Sequence, residues 1–160
     1  MHGIRGAGIW ERELVSRSGS GFIPTRRPIF ADNNVLVAAA ERGNAAALAE
    51  IRAGPTLITP NQLREFLNVN SATQRAARRS FLDREGIAVF GGQQAGVVAR
   101  TSIFQEVFQA VVVDHGRADA ALAAFAKATG FEAVTLEQRL TNFLTHTHPR
   151  LGVPLRSMPR

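Results

Sequence analysis

Four short apolar runs, at residues 28–31, 56–59, 86–90 and 131–134, each lead into a segment of helical spacing, and this alternation constrains the fold more than any other feature of the chain. A strand that is apolar throughout is buried on both faces. Such strands alternating with helices build a mainly parallel sheet covered on each side. The expected fold is therefore α/β, a three-layer α/β/α arrangement around a mainly parallel sheet of four to five strands. The fifth is an edge strand at 152–155, where Pro154 is tolerated. Helices are expected at 35–41 and 44–52, broken at Gly43, and from Pro60, whose missing N–H costs nothing at a helix start, to about 69. Further helices are expected at 71–83, 97–114, 117–129 and 137–144, with Gly116 and Gly130 as breaks.

Length bounds the organisation. The 160 residues suffice for one buried core and are too few to argue for two. Residues 1–27 are rich in Gly, Ser and Arg and read as a tail or linker, with 9–15 open to a helical turn; the domain is expected at 28–160. Every apolar stretch is interrupted well short of bilayer length, and the start lacks the apolar core of an export signal, so a cytoplasmic site of action is expected and a membrane role is not. With no cysteine, disulfides and thiolate metal sites are excluded. The net charge of +6 favours polyanions such as nucleic acid. Lys127 is the only lysine, and the arginine fork suits bidentate phosphate contacts.

Ligands of open α/β sheets bind beyond the carboxyl ends of the strands, so acids at those positions carry the functional reading. Asp32 directly follows the first strand, where a lone Asp reads first as a helix cap. Glu65 lies in the helix after the second strand, and its neighbours Leu63, Phe66 and Leu67 are taken to place it near the apolar side. Asp119 opens the Ala-rich helix in register with Leu122, Ala123 and Ala126, where a helix N-terminus favours negative charge. Glu137 stands just past the fourth strand. Carboxylates gathered at one edge repel one another, and Mg²⁺ or Mn²⁺, which prefer hard oxygen ligands, are their usual stabilisers. The bland alternative pairs Glu65 and Asp119 with Arg64, Arg117 or another arginine.

These fragments occur in an order that resembles the PIN-domain family. Phe30-Ala31-Asp32-Asn33-Asn34-Val35-Leu36 is similar to the D-T/S-N-V-L motif that ends the family's first strand. The segment Ile58 to Phe66 resembles the element that carries its second acid. Arg117-Ala118-Asp119 and the Ala-rich run to Ala126, followed by Val134-Thr135-Leu136-Glu137, resemble its Asp-started helix and T-x-D strand end. Asn33 replaces the usual Thr or Ser, and Glu137 stands where Asp is commoner.

The resemblance implies a Mg²⁺- or Mn²⁺-dependent endoribonuclease. Asp32, Glu65 and Asp119 would be the core ligands and Glu137 an auxiliary one, with Asn34 ordering Asp32 and with Asn33 and Thr135 orienting substrate. It also implies a toxin held by a cognate antitoxin or immunity protein, with delivery from another cell and a homodimer both compatible. Two other readings stay open: a catalytically degenerate module that binds RNA or protein, and a DNA nuclease. Arg75, Arg78 and Arg79, beside Arg84, are candidate RNA contacts or simply a solvated helix face. Asp114 competes with Asp119 for the third acidic place. His146 and His148 read as a surface loop, and no phosphate-cradling glycine motif or serine triad is present.

Overall fold

The computed structural model describes residues 26–159. The chain runs β1 (Ile29–Ala31), α1 (Asn33–Glu41), α2 (Ala45–Arg52), β2 (Thr56–Ile58), α3 (Pro60–Leu67), α4 (Ala72–Arg84) and β3 (Ala88–Val89). It continues through α5 (Gly92–Ala99), α6 (Ser102–Thr129), β4 (Glu132–Thr135), α7 (Gln138–Asn142) and β5 (Leu155–Ser157). The strands form one sheet in the order β3-β2-β1-β4-β5, and every pairing is parallel. From β1 the chain moves outward to β2 and β3, then returns to the far side of β1 to lay down β4. The carboxyl ends of β1 and β4 therefore part at a topological switch point, where open α/β sheets form their binding crevices.

Alternation along the strands divides the core into two layers. Phe30, Leu57 and Ala133 face a layer filled by α5 and α6, where Phe30, Phe90, Phe104 and Phe125 pack together. Phe104 and Phe125 meet edge-on at 4.7 Å and Phe90 and Phe125 at 5.3 Å, contacts worth about 0.5–1.5 kcal/mol each beyond their burial. Ile29, Ala31, Ile58 and Val134 face the other layer, against Val35, Leu36, Ile51, Phe66 and Phe81 from α1 to α4. The chain is thus a three-layer α/β/α protein, as the alternation of apolar runs requires.

Caps fix the helix starts. Asn44, Thr59 and Ser71 accept from Ala47, Gln62 and Gln74 N–H at the heads of α2, α3 and α4. Thr101 does the same for Phe104 N–H and turns the chain, so the helix expected at 97–114 is two, α5 and α6. The short helix expected at 137–144 stops at Asn142 and passes into a π turn, Phe143–Thr147. The edge strand forms at Leu155–Ser157, beyond Pro154, because Pro154 has no N–H for the ladder. Arg26, read from sequence as tail, is anchored instead: it donates to the carbonyls of Pro55 and Glu50, both at 2.7 Å. The turn at 9–15 lies outside the described residues. Among the described residues no single helix is long and apolar enough to cross a membrane.

Gly116 breaks α6 where the sequence places a break, with φ 83° and ψ 174°. That backbone region is open essentially to glycine alone, at a cost of about 1–3 kcal/mol to other residues. The kink gives Asp119 a fresh helix start. Among the described residues, apart from its own chain neighbours and local helix backbone, nothing lies within 4 Å of a Cβ placed at Gly116, so the cost of Gly116→Ala is all backbone. It should lower Tm by roughly 3–10 °C, read by calorimetry. An unchanged Tm would show that the kink relaxes freely.

Candidate functional site

The end of β1 delivers Asp32 to the switch point, buried at 5% exposure. One carboxylate oxygen, Oδ1, accepts the Asn33 N–H at 2.7 Å, and Oδ2 accepts the Thr135 hydroxyl at 2.7 Å. Each oxygen keeps a second lone pair for a ligand. Thr135 ends β4 and is itself held: its Oγ1 accepts from Asn34 Nδ2 and from the Glu137 N–H, both at 3.1 Å. The side-chain carbonyl of Asn34 accepts the Leu136 N–H at 3.0 Å, so one asparagine ties the head of α1 to the end of β4. This network orients Asp32 without neutralising it.

Asp119, half-buried in the first turn after Gly116, and Glu137, just past β4, complete the cluster. Asp32, Asp119 and Glu137 each place a carboxylate oxygen within 4.8 Å of the others. Burial pushes the Asp32 carboxyl up to about 6, against the pull of the Thr135 and Asn33 hydrogen bonds, with the charges of Glu65 and Glu137 adding to the rise. Asp119 is pushed up to about 7, again first by burial and then by the charges of Asp32, Glu137 and Glu65. Arg139 opposes the rise at Asp119.

The geometry exchanges the places expected for Glu65 and Glu137. Glu65 is exposed on α3, outside the tight cluster, although its charge is felt by both aspartates. Residue 65 is turned 100° from Phe66 on the helix, and the buried face of α3 runs through Gln62 and Phe66 instead. Asp114 is exposed and its carbonyl accepts from Arg139 at 3.0 Å. His146 and His148 are exposed on the π turn and the residue after it.

The arginines of α4 do not form one exposed row. Arg78 is buried, grips Glu41 through two contacts at 2.8 and 2.9 Å, and donates to the Phe66 carbonyl at 2.7 Å while lying over the Phe66 ring. It is a strut between α1, α3 and α4, and a phosphate could reach it only by breaking that pair. Arg75 donates to the Val69 carbonyl at 2.7 Å, and Arg79 is exposed.

Gln62 is a residue that sequence reading missed. It is fully buried, and its Oε1 accepts the same Asn33 N–H that serves Asp32, at 2.9 Å. Among the described residues, its Nε2 and the Asn33 Oδ1 are buried without hydrogen-bond partners. Unsatisfied buried polar atoms are rare and each demands a reason; here both belong to residues bonded around the Asp32 backbone turn. The sequence signal was a polar residue at the apolar position of an otherwise amphipathic turn.

The donor set suits a hard divalent cation. All three acids offer oxygen, and ligand oxygens around Mg²⁺ at about 2.1 Å lie about 4.2 Å apart when opposite and about 3.0 Å apart when adjacent, so an ion would draw together oxygens that already stand within 4.8 Å of one another. Asp32 and Asp119 are raised first by burial and then by neighbouring negative charge, and a bound cation would offset both. Comparison of the sequence with protein-family models and with curated proteins finds no match.

Proposed function

We propose that the chain is a PIN-like, Mg²⁺- or Mn²⁺-dependent endoribonuclease. The observation that carries the reading is the convergence of Asp32, Asp119 and Glu137 at the switch point of a parallel sheet, on a basic protein. Asp32, Asp119 and Glu137 would hold the ion. When bound, it supplies Lewis acidity to a scissile phosphate and lowers the pKa of water. Thr135 and Asn34 keep the Asp32 carboxylate aimed, and Glu65, outside the cluster, adds negative potential that favours the cation. Arg139, close enough to act on Asp119, offers a counter-charge to the phosphate backbone.

The test is cleavage of matched single-stranded RNA and DNA with Mn²⁺, Mg²⁺ or chelator. RNA should be cut with either metal and left intact with chelator. Metal-dependent cutting of DNA alone would reassign the substrate. Intact RNA together with no calorimetric Mn²⁺ binding would favour a module that binds without cutting.

A further inference from the structure

The segment of α6 that carries Asp119 also borders a second feature, outside the acidic cluster. A cavity of about 320 Å³ opens between the first turn of α3, α5 and both segments of α6. Its volume is at the lower end of the range for small-ligand sites, roughly 300–1,000 Å³. Phe104, Phe108 and Phe125 give it an aromatic side; Phe104 and Phe108 are stacked 5.8 Å apart, and Phe125 meets Phe104 edge-on. Gly96 contributes bare backbone on α5, and two polar residues complete the lining, Asn61 and Arg117.

The cavity and the cluster share their framework. Arg117 lines the cavity while Asp119, two residues on in the same helical turn, belongs to the cluster. Residues two apart on a helix point some 200° from each other, so the turn after Gly116 sends a cation one way and an acid the other. Asn61 likewise precedes Gln62, which hydrogen-bonds Asn33 beside Asp32. A flat apolar ligand with a hydrogen-bonding edge and an attached anion matches aromatic walls, one amide and one guanidinium. We propose that this cavity takes one nucleobase of the RNA engaged by the acidic cluster, with Asn61 reading the base edge and Arg117 meeting the adjoining phosphate. The proposal rests on the nuclease reading and adds to it a subsite for the substrate.

Gly96 provides the test, because among the described residues, apart from its own helix backbone, a Cβ there would meet the Arg100 guanidinium alone, at an ordinary 3.5 Å, and helix interiors favour other residues over glycine. The full chain, in metal-free buffer, is titrated with AMP, GMP, CMP and UMP separately and followed by amide chemical shifts. At least one nucleotide should move Asn61 and Gly96, while ribose 5-phosphate should not. Gly96→Leu, which fills the cavity, and Phe108→Ala, which removes a wall, should each weaken binding by roughly tenfold or more, the scale of one base–aromatic stacking contact. Gly96→Ala should retain binding and so separates filling from folding. No shifts at these residues with any nucleotide, equal shifts with ribose 5-phosphate, or undiminished binding by both Gly96→Leu and Phe108→Ala would overturn the subsite; the first of these results would leave the cavity to another occupant, such as an apolar side chain of a protein partner. Mn²⁺ calorimetry and RNA cleavage on the same preparation read the nuclease assignment separately. Cleavage without nucleotide shifts sinks the subsite alone, and nucleotide shifts without cleavage or Mn²⁺ binding sink the nuclease alone.

Discussion

Asp32→Asn should reduce metal-dependent RNA cleavage by about a thousandfold or more while leaving the protein folded. The size follows from what the carboxylate would do: an ion polarising a phosphate is worth several kcal/mol in the transition state, and each 1.36 kcal/mol is a factor of ten. The fold should survive for a separate reason. Asn caps helices as well as Asp, and its side-chain oxygen can still accept the Asn33 N–H. The amide nitrogen would face Thr135, whose hydroxyl can turn to Asn34 Oδ1, 3.4 Å away. Loss of the buried charge also removes the penalty that raises Asp32 to about 6, on the order of 3 kcal/mol at pH 8 without metal. The variant should therefore melt at or above the wild-type temperature in chelator. Cleavage within tenfold of wild type would sink the assignment of Asp32 as a ligand; loss of cleavage with a collapsed Tm would make Asp32 a folding residue instead.

Much of this site was legible because its residues sit where strands end. Asp32 and Glu137 follow apolar runs that had to be strands, and the parallel alternation sends both runs to the same edge of the sheet. Asp119 was legible from Gly116, since a forced helix break makes the next turn an N-terminus. Glu65 was misplaced because adjacency in sequence is not adjacency on a helix. Phe66 is buried and Glu65 is exposed, one residue and 100° apart. The same error hid Gln62, which occupies the inward position. Arg78 was misjudged for a related reason: on a helix rich in arginine, only the location of a partner tells which cation is structural, and Glu41 lies 37 residues away. The Phe104–Phe108–Phe125 cavity could not be read at all, since it depends on how Thr101 folds α5 back against α6, an angle that no spacing encodes.

The second large effect is an inverted pH dependence of stability in the absence of metal. Asp32 and Asp119 have folded-state values raised to about 6 and about 7 from ordinary carboxylate values. Between those limits the native state holds protons that the unfolded chain has released, so stability falls as pH rises. Their favourable contribution is complete below about pH 4 and is gone above about pH 7. Glu41 and Glu85 act in the opposite sense, because their bonds to Arg78 and Arg52 lower their values; their contribution is present at neutral pH and is lost on acidification. The two opposing trends place the metal-free optimum on the acid side of neutrality. Mn²⁺ at a hundredfold excess over its Kd would add about 2.7 kcal/mol, and for a chain of this size that raises Tm by roughly 5–10 °C. That gain should appear at pH 8 and shrink at pH 5, where protons occupy the same oxygens. Asp119→Asn should flatten the metal-free profile between pH 5 and 8 and reduce the Mn²⁺ gain together, since one carboxylate underlies both. A wild-type Tm that rises from pH 5 to 8 in chelator, or an Mn²⁺ gain equal in Asp119→Asn, would separate the strained carboxylates from metal binding and leave the cluster as packing alone.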